Sequence, residues 1–426
     1  MHHSLHIPSI RSIRSGLIGT IATAALLATT PALAQKNMPQ VNCIDPARPN
    51  IVYIAGSSAI RNFLSVVAGL LAENDPPYSI VYQSQGSCTG VQAIFSEDPA
   101  KRFIRDIPAA DGKDANYAIY FKPDGSFEEC FLSPTGNEVD VGASDVYSTT
   151  CDGIMPPAGV TIADYEGPIQ PMTFVVPAAS QQRIISAEAG YLAFGVGGTS
   201  GALSAGPWTD PTFFAVRNAS SGTQQMISRA IGVPGDKWWG EDKGGSSQVR
   251  DDLKVIVDAV SANKALGILS TDAADLVRND LRILAFQSEG QSCSYWPDSS
   301  PFSFDKMNVR DGHYTIWGPV HFYARQGQGG LPSDAAAALV TRFAKPSLDI
   351  ELLEAIIAQH LVPKCAMQVQ RNSEMGPLSR YQTEYRCDCF FELIAEGSTS
   401  CQPCALPSEC PPETPACNYG YCERGE

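Results

Sequence analysis

Between about residue 50 and residue 361 the chain alternates short apolar runs with stretches whose apolar residues return every three or four positions. The first pattern predicts buried strands and the second amphipathic helices. Ile51–Ala55 predicts a strand. After Gly56, Ser57 and Ser58, apolar residues recur at Ile60, Phe63, Leu64, Val67, Leu70 and Leu71, the spacing of one helix face. Tyr78–Gln83 predicts a second strand, followed by the loop Gly86–Gly90 and a short helical run from Val91. Val139–Ala143 predicts a third, ending at Ser144 and Asp145. Thr212–Val216 predicts a fourth, with Arg217 at its end, and Ser220, Ser221, Gly222 and Thr223 then open a helix over Gln224–Ile231. The order strand, small hydroxyl-bearing loop, helix occurs three times, which is an α/β signature.

The two ends of the chain depart from this pattern. Residues 1–34 carry Arg11 and Arg14, an apolar run Gly16–Leu27, and then Ala32-Leu33-Ala34. That layout predicts a cleaved secretory signal, its apolar run too short for a comfortable membrane span. From Cys387 to Cys422 the chain is rich in Pro, Ser and Glu and holds seven of its 13 cysteines. In an exported chain such spacing predicts disulfides rather than zinc, because no histidine lies in the segment. An odd count leaves at least one thiol free or paired between chains. With 30 Lys and Arg against 45 Asp and Glu, the net charge of −15 gives no field to attract nucleic acid or an anionic membrane face.

The repeated loops carry the chemistry. A helix start leaves backbone N–H groups unpaired, glycine lets an anion approach them, and Ser or Thr hydroxyls add donors. Any one such loop also reads as ordinary helix capping. Three of them, with an Asp and an Arg at strand ends, point to an oxyanion site at the carboxyl ends of strands.

These residues resemble the periplasmic phosphate-binding proteins, the substrate-binding subunits of phosphate ABC importers. Val139-Asp140-Val141-Gly142-Ala143-Ser144-Asp145 is similar to the family's V-D-F-G-A-S-D segment. Arg217 followed by Ser221-Gly222-Thr223 matches its R-x-x-x-S-G-T loop, and Gly86–Val91 looks like its G-S-S-G-G-V loop. Gly56-Ser57-Ser58-Ala59 falls where the family reads G-A-T-F or G-S-S-T. Ala265–Leu269 and Tyr314–Trp317 resemble its hinge segments. The resemblance implies a two-lobe type II binding-protein fold with mixed sheets and a hinge crossed twice. Lobe one would span 45–167 and 320–365, with an insertion at 95–138; lobe two would span 168–319, and a Cys-rich tail 366–426. It also implies a phosphate site of Ser58, Ala59, Ser87, Asp145, Arg217, Ser221, Gly222 and Thr223. No cofactor, metal or catalytic residue is expected. The expected partners are inorganic phosphate and a membrane permease, with the protein itself a monomer.

The chain departs from the family in several places. Ala59 replaces a bulky residue, and Cys88 and Thr89 replace small ones. Tyr117–Tyr120, Lys122–Gly125 and Phe127–Cys130 predict a hairpin within the insertion, which a Cys130–Cys151 disulfide would close. Trp238-Trp239 reads as core or hinge packing, and Gly244–Ser247 as either further donors or a linker turn. Independently of the family, a carboxylate among donors accepts but cannot donate, so Asp145 would favour an anion that still carries a proton, phosphate over sulfate. The alternatives are the same fold holding arsenate, sulfate, molybdate or an organic phosphate, a surface-attachment role, and a phosphatase using Ser87 or Ser221. The last would need a base beside the serine.

Overall fold

The computed structural model describes residues 38–109, 115–327 and 330–425. The expected signal at 1–34 lies outside the described residues. Eleven strands among these residues join into one mixed sheet: β1 (Ile51–Gly56), β2 (Ser79–Ser84), β3 (Ala118–Phe121), β4 (Phe127–Cys130), β5 (Val141–Ser144), β6 (Thr161–Pro177), β7 (Phe214–Val216), β8 (Glu241–Asp242), β9 (Leu266–Ser270), β10 (Leu281–Ile283) and β11 (Trp317–Gln326). Their order is β8-β7-β9-β6-β11-β5-β1-β2-β3-β4, with β10 also on β6.

The long strand β6 organises this sheet. Its first part, Thr161–Pro171, pairs antiparallel with β11. Its second part, Met172–Pro177, pairs antiparallel with β9 and β10. On one side β5, β1 and β2 run parallel to one another, and on the other β9, β7 and β8 do. The chain thus passes between the two half-sheets along β6 and returns at the start of β11. From Gly167 to Pro177 every residue of β6 is buried, as expected of a strand covered on both faces.

Four helices bear on the site. α1 (Arg61–Ala72) buries Phe63, Leu64, Val67 and Leu71 of the face read from the sequence, with Ala68 beside them; Leu70 is only partly buried and Ile60 is the N-cap. α2 (Ser87–Phe95) begins at Ser87 and α3 (Gly222–Ile231) at Gly222, both earlier than their apolar spacing indicates. α4 (Ser246–Lys254) starts inside the Gly244–Ser247 stretch. α2 lies tight on the sheet because it carries Gly90, where a Cβ would come within 2.6 Å of the Ala143 carbonyl oxygen. No helix of the described residues is long and apolar enough to cross a membrane.

The expected hairpin forms: β3 pairs antiparallel with β4 around Asp124-Gly125. Its expected disulfide does not. Phe131, next to Cys130, exchanges backbone hydrogen bonds with Val41 and Cys43, and that pairing brings Cys43 to Cys130. Cys151 instead joins Cys88 in the first turn of α2. In the C-terminal extension the pairs are Cys365–Cys387, Cys389–Cys401, Cys404–Cys417 and Cys410–Cys422. Cys404, Cys410 and Cys422 lie close enough to share an ion, but each is in a disulfide. Cys293 is unpaired and exposed. The tryptophan pair divides, Trp238 stacking on Phe194 at 4.4 Å while Trp239 is half exposed.

The extension also buries apolar residues. Phe390 and Phe391, on the helix Asp388–Glu396, join the largest hydrophobic cluster together with Met172, Phe174 and Trp317.

Candidate functional site

β5 ends at Ser144, so Asp145 stands where the chain leaves the sheet, flanked by β1 and β11. Its carboxylate is buried. Oδ2 accepts hydrogen bonds from the hydroxyls of Ser57 and, at 3.1 Å, Ser87. The Ser87 hydroxyl also accepts from the Asp145 N–H at 3.1 Å. Oδ1 is closed off from solvent and has no partner among the described residues. Burial raises the Asp145 pKa to about 6, against the Ser57 and Ser87 hydroxyls and the charges of Arg217 and His321.

Arg217 stands at the end of β7, in the other half-sheet, and is 3% exposed. Nε donates to the Gly244 carbonyl at 2.7 Å, Nη1 to Ser246 Oγ at 2.8 Å and Nη2 to Ser58 Oγ at 2.8 Å. The last bond links the two half-sheets. These bonds engage three of the five N–H groups of the guanidinium. Burial lowers its pKa to about 10, which leaves it charged at neutral pH.

The start of α3 closes the site. Ser221 is the N-cap without a side-chain capping bond, so the first N–H groups of the helix have no partner within it. Gly222 brings this helix end against the carboxylate: a Cβ there would lie 2.2 Å from Ser87 Oγ and 2.8 Å from Asp145 Oδ2. Thr223 Oγ1 is buried and unpartnered among the described residues. Beside it the Ser220 carbonyl accepts from the Cys88 N–H at 3.1 Å, and the Ser220 hydroxyl donates to the Gln85 carbonyl at 3.0 Å.

Of the residues singled out from the sequence, Ser87, Asp145 and Gly222 are therefore in direct contact. Ser58 meets Arg217, Ser221 and Thr223 form the first turn of α3, and Ala59 is buried with its N–H on Ser57 Oγ. The serine on the carboxylate is Ser57 rather than the expected Ser58, and adjacent serines give no sequence signal for which one faces it. Ser246 was within reach of sequence reasoning through Gly244–Ser247. Asp272 was not: it is buried, accepts from Gln170 Nε2 at 3.0 Å and has a pKa raised to about 6, by burial first and then by Asp145 among its neighbours.

The arrangement offers many neutral donors, one permanent cation and one buried acceptor oxygen. Ser87 hydrogen-bonds a carboxylate rather than an imidazole or amine. The buried His321 holds its Nδ1 at 2.9 Å from Asp164, with its ring against Tyr147 and Tyr323.

No family model and no curated relative matches the chain. Solved structures of similar layout include a protein assigned as a phosphate ABC transporter substrate-binding protein, with bound phosphate, from Clostridium perfringens. It is 13% identical, with 74% of this chain and 99% of that one covered and a TM-score of 0.48. An ABC-type phosphate transport receptor from Vibrio cholerae is 14% identical over 73% of this chain and 99% of its own, with a TM-score of 0.42. An ancestral soluble variant of the human phosphate-binding protein is 14% identical over 73% and 90%, with a TM-score of 0.44. Likeness at this level carries no residue-by-residue correspondence.

Proposed function

We propose that this protein binds inorganic phosphate between two lobes that meet at Asp145 and Arg217, without transforming it. Delivery to a membrane permease and scavenging are both compatible uses. The observation that carries this reading is the buried, unpartnered Oδ1 of Asp145, on a carboxylate whose other oxygen lies against Gly222 at the open N-terminus of α3. A buried acceptor left without a donor costs about 1–3 kcal/mol. An oxyanion retaining a proton supplies that donor while its other oxygens take the N–H groups, the hydroxyls and the free part of the Arg217 fork. A fully deprotonated anion would face the carboxylate without a hydrogen to share. Six disulfides support residence in an oxidising compartment, as expected of an exported chain.

The test is calorimetric titration at pH 7 of protein stripped of bound anion, first with phosphate and then with sulfate. One-to-one phosphate binding with at least tenfold weaker sulfate binding is expected. Equal heats from both anions would remove the role given to Asp145. No heat from either would remove the phosphate reading.

A further inference from the structure

The C-terminal extension reaches the back of this site. Glu374 lies between Cys365 and Cys387, which a disulfide joins. Its Oε2 accepts from the Tyr147 N–H at 3.3 Å, two residues beyond Asp145. Its Oε1 is sealed from solvent and unpartnered among the described residues. A Cβ built on Gly318, in β11, would lie 3.5 Å from both Glu374 Oε1 and the Asp145 carbonyl oxygen. A second carboxylate thus stands directly behind the turn that carries the first.

The groups facing Glu374 come from each element packed on it. Arg371, on its own segment, stacks over Trp317 at 4.2 Å. Tyr147 donates its hydroxyl to the Arg371 carbonyl at 2.6 Å. His321, on β11, has Nδ1 engaged by Asp164 and an unpartnered Nε2. Arg229, on α3, adds a weaker positive influence while it faces Asp152 at 3.6 Å. Burial nevertheless dominates and raises the Glu374 pKa to about 7, with Arg371 the largest opposing influence and His321 the next.

We infer that Glu374 is a specificity-determining residue of the oxyanion site, a second carboxylate that fixes the Asp145–Tyr147 turn and favours the more protonated form of the bound anion. The inference rests on the phosphate reading above. Glu374 does not touch the anion. It acts through the backbone it holds and through its charge, which is weakly screened in so buried a place. Below its pKa it is neutral and costs the anion nothing. Above it, the added negative charge weakens binding.

The test compares wild type with Glu374→Gln, titrated with inorganic phosphate from about pH 5.5 to about pH 8.5. Glutamine keeps an acceptor for the Tyr147 N–H and removes the charge. The two proteins are expected to bind equally at the acid end, with the variant tighter by roughly fivefold at the alkaline end. A wild-type-to-variant affinity ratio that stays constant across the range would overturn the inference, since a purely structural role shifts affinity without changing its pH profile. If the glutamine variant does not fold, Arg371→Met serves instead. Losing that cation raises the Glu374 pKa further, so the pH at which affinity falls should move upward, and an unmoved midpoint counts against the role. Wild type that takes up no phosphate at any pH would defeat the phosphate reading itself, a distinct result.

Discussion

Asp145 is held at about 6 because burial outweighs the hydroxyls and the arginine that favour its charge. A carboxyl whose folded pKa lies above its unfolded value binds its proton more tightly in the folded state. The associated stability is complete below the unfolded value, near 4, and is lost as pH rises through about 6. Asp272, also raised to about 6, has the same sign, as has Glu423, raised to about 7 chiefly by burial. The ligand-free protein should therefore resist urea better near pH 5 than near pH 8. Asp145→Asn should recover up to about 3 kcal/mol of the loss at pH 8. The same variant should lose the preference for phosphate over sulfate, because an amide can donate to a deprotonated oxygen. Arg217→Lys acts differently. An ammonium cannot reproduce three simultaneous bonds to Gly244, Ser246 and Ser58 and still present a fork, so phosphate affinity should fall by roughly tenfold or more. Unchanged affinity in that variant would place the anion elsewhere.

At the scale of elements, the three strand–loop–helix turns were legible because each is contiguous in sequence and each hydroxyl-rich loop sits between an apolar run and a helical face. The partners across those turns were not. Nothing local distinguishes Ser57 from Ser58, and nothing pairs Cys43 with Cys130 rather than Cys151 with Cys130. The disulfide choice is made by a backbone ladder at Phe131, and Ser57 is held towards the carboxylate by its own N–H on the Ala143 carbonyl. The length of β6 was hidden as well, since its outer residues Thr161–Glu166 are exposed or only partly buried and give no continuous apolar run. Gly222 was legible as a motif residue, and the structure supplies its physical reason in the approach of α3 to Ser87 and Asp145. Gly222→Ala places a methyl inside contact distance of both side chains. Phosphate affinity should drop at least tenfold with far-ultraviolet circular dichroism unchanged. An alanine variant that binds normally would show that α3 does not need to come so close.

At the scale of the whole molecule, the described residues belong to one compact unit, and the C-terminal extension is built into it rather than hung from it. On one side it holds the segment between β10 and β11. The buried Arg310 donates from Nη2 to Asp388 at 2.7 Å and from Nε to the Ala366 carbonyl at 3.0 Å, with its guanidinium 4.9 Å from the centre of the Phe391 ring. On the other side it holds the turn after β5 through Glu374 and Arg371, and Ser347 through Tyr419 at 3.1 Å. Through Arg371, whose guanidinium stacks over Trp317 at 4.2 Å, the extension also reaches the start of β11. Arg310→Ala removes the central attachment and leaves Asp388 paired with Arg386 alone, at a cost of about 2–3 kcal/mol, less than for a fully buried pair because Asp388 is partly exposed. Because the attachment is shared, the loss should move the entire unfolding curve. Tryptophan fluorescence and circular dichroism would shift together as one transition, to a lower urea midpoint. An early separate transition, with the main midpoint where wild type has it, would mean that the extension melts as an independent appendage and exerts no hold on the site.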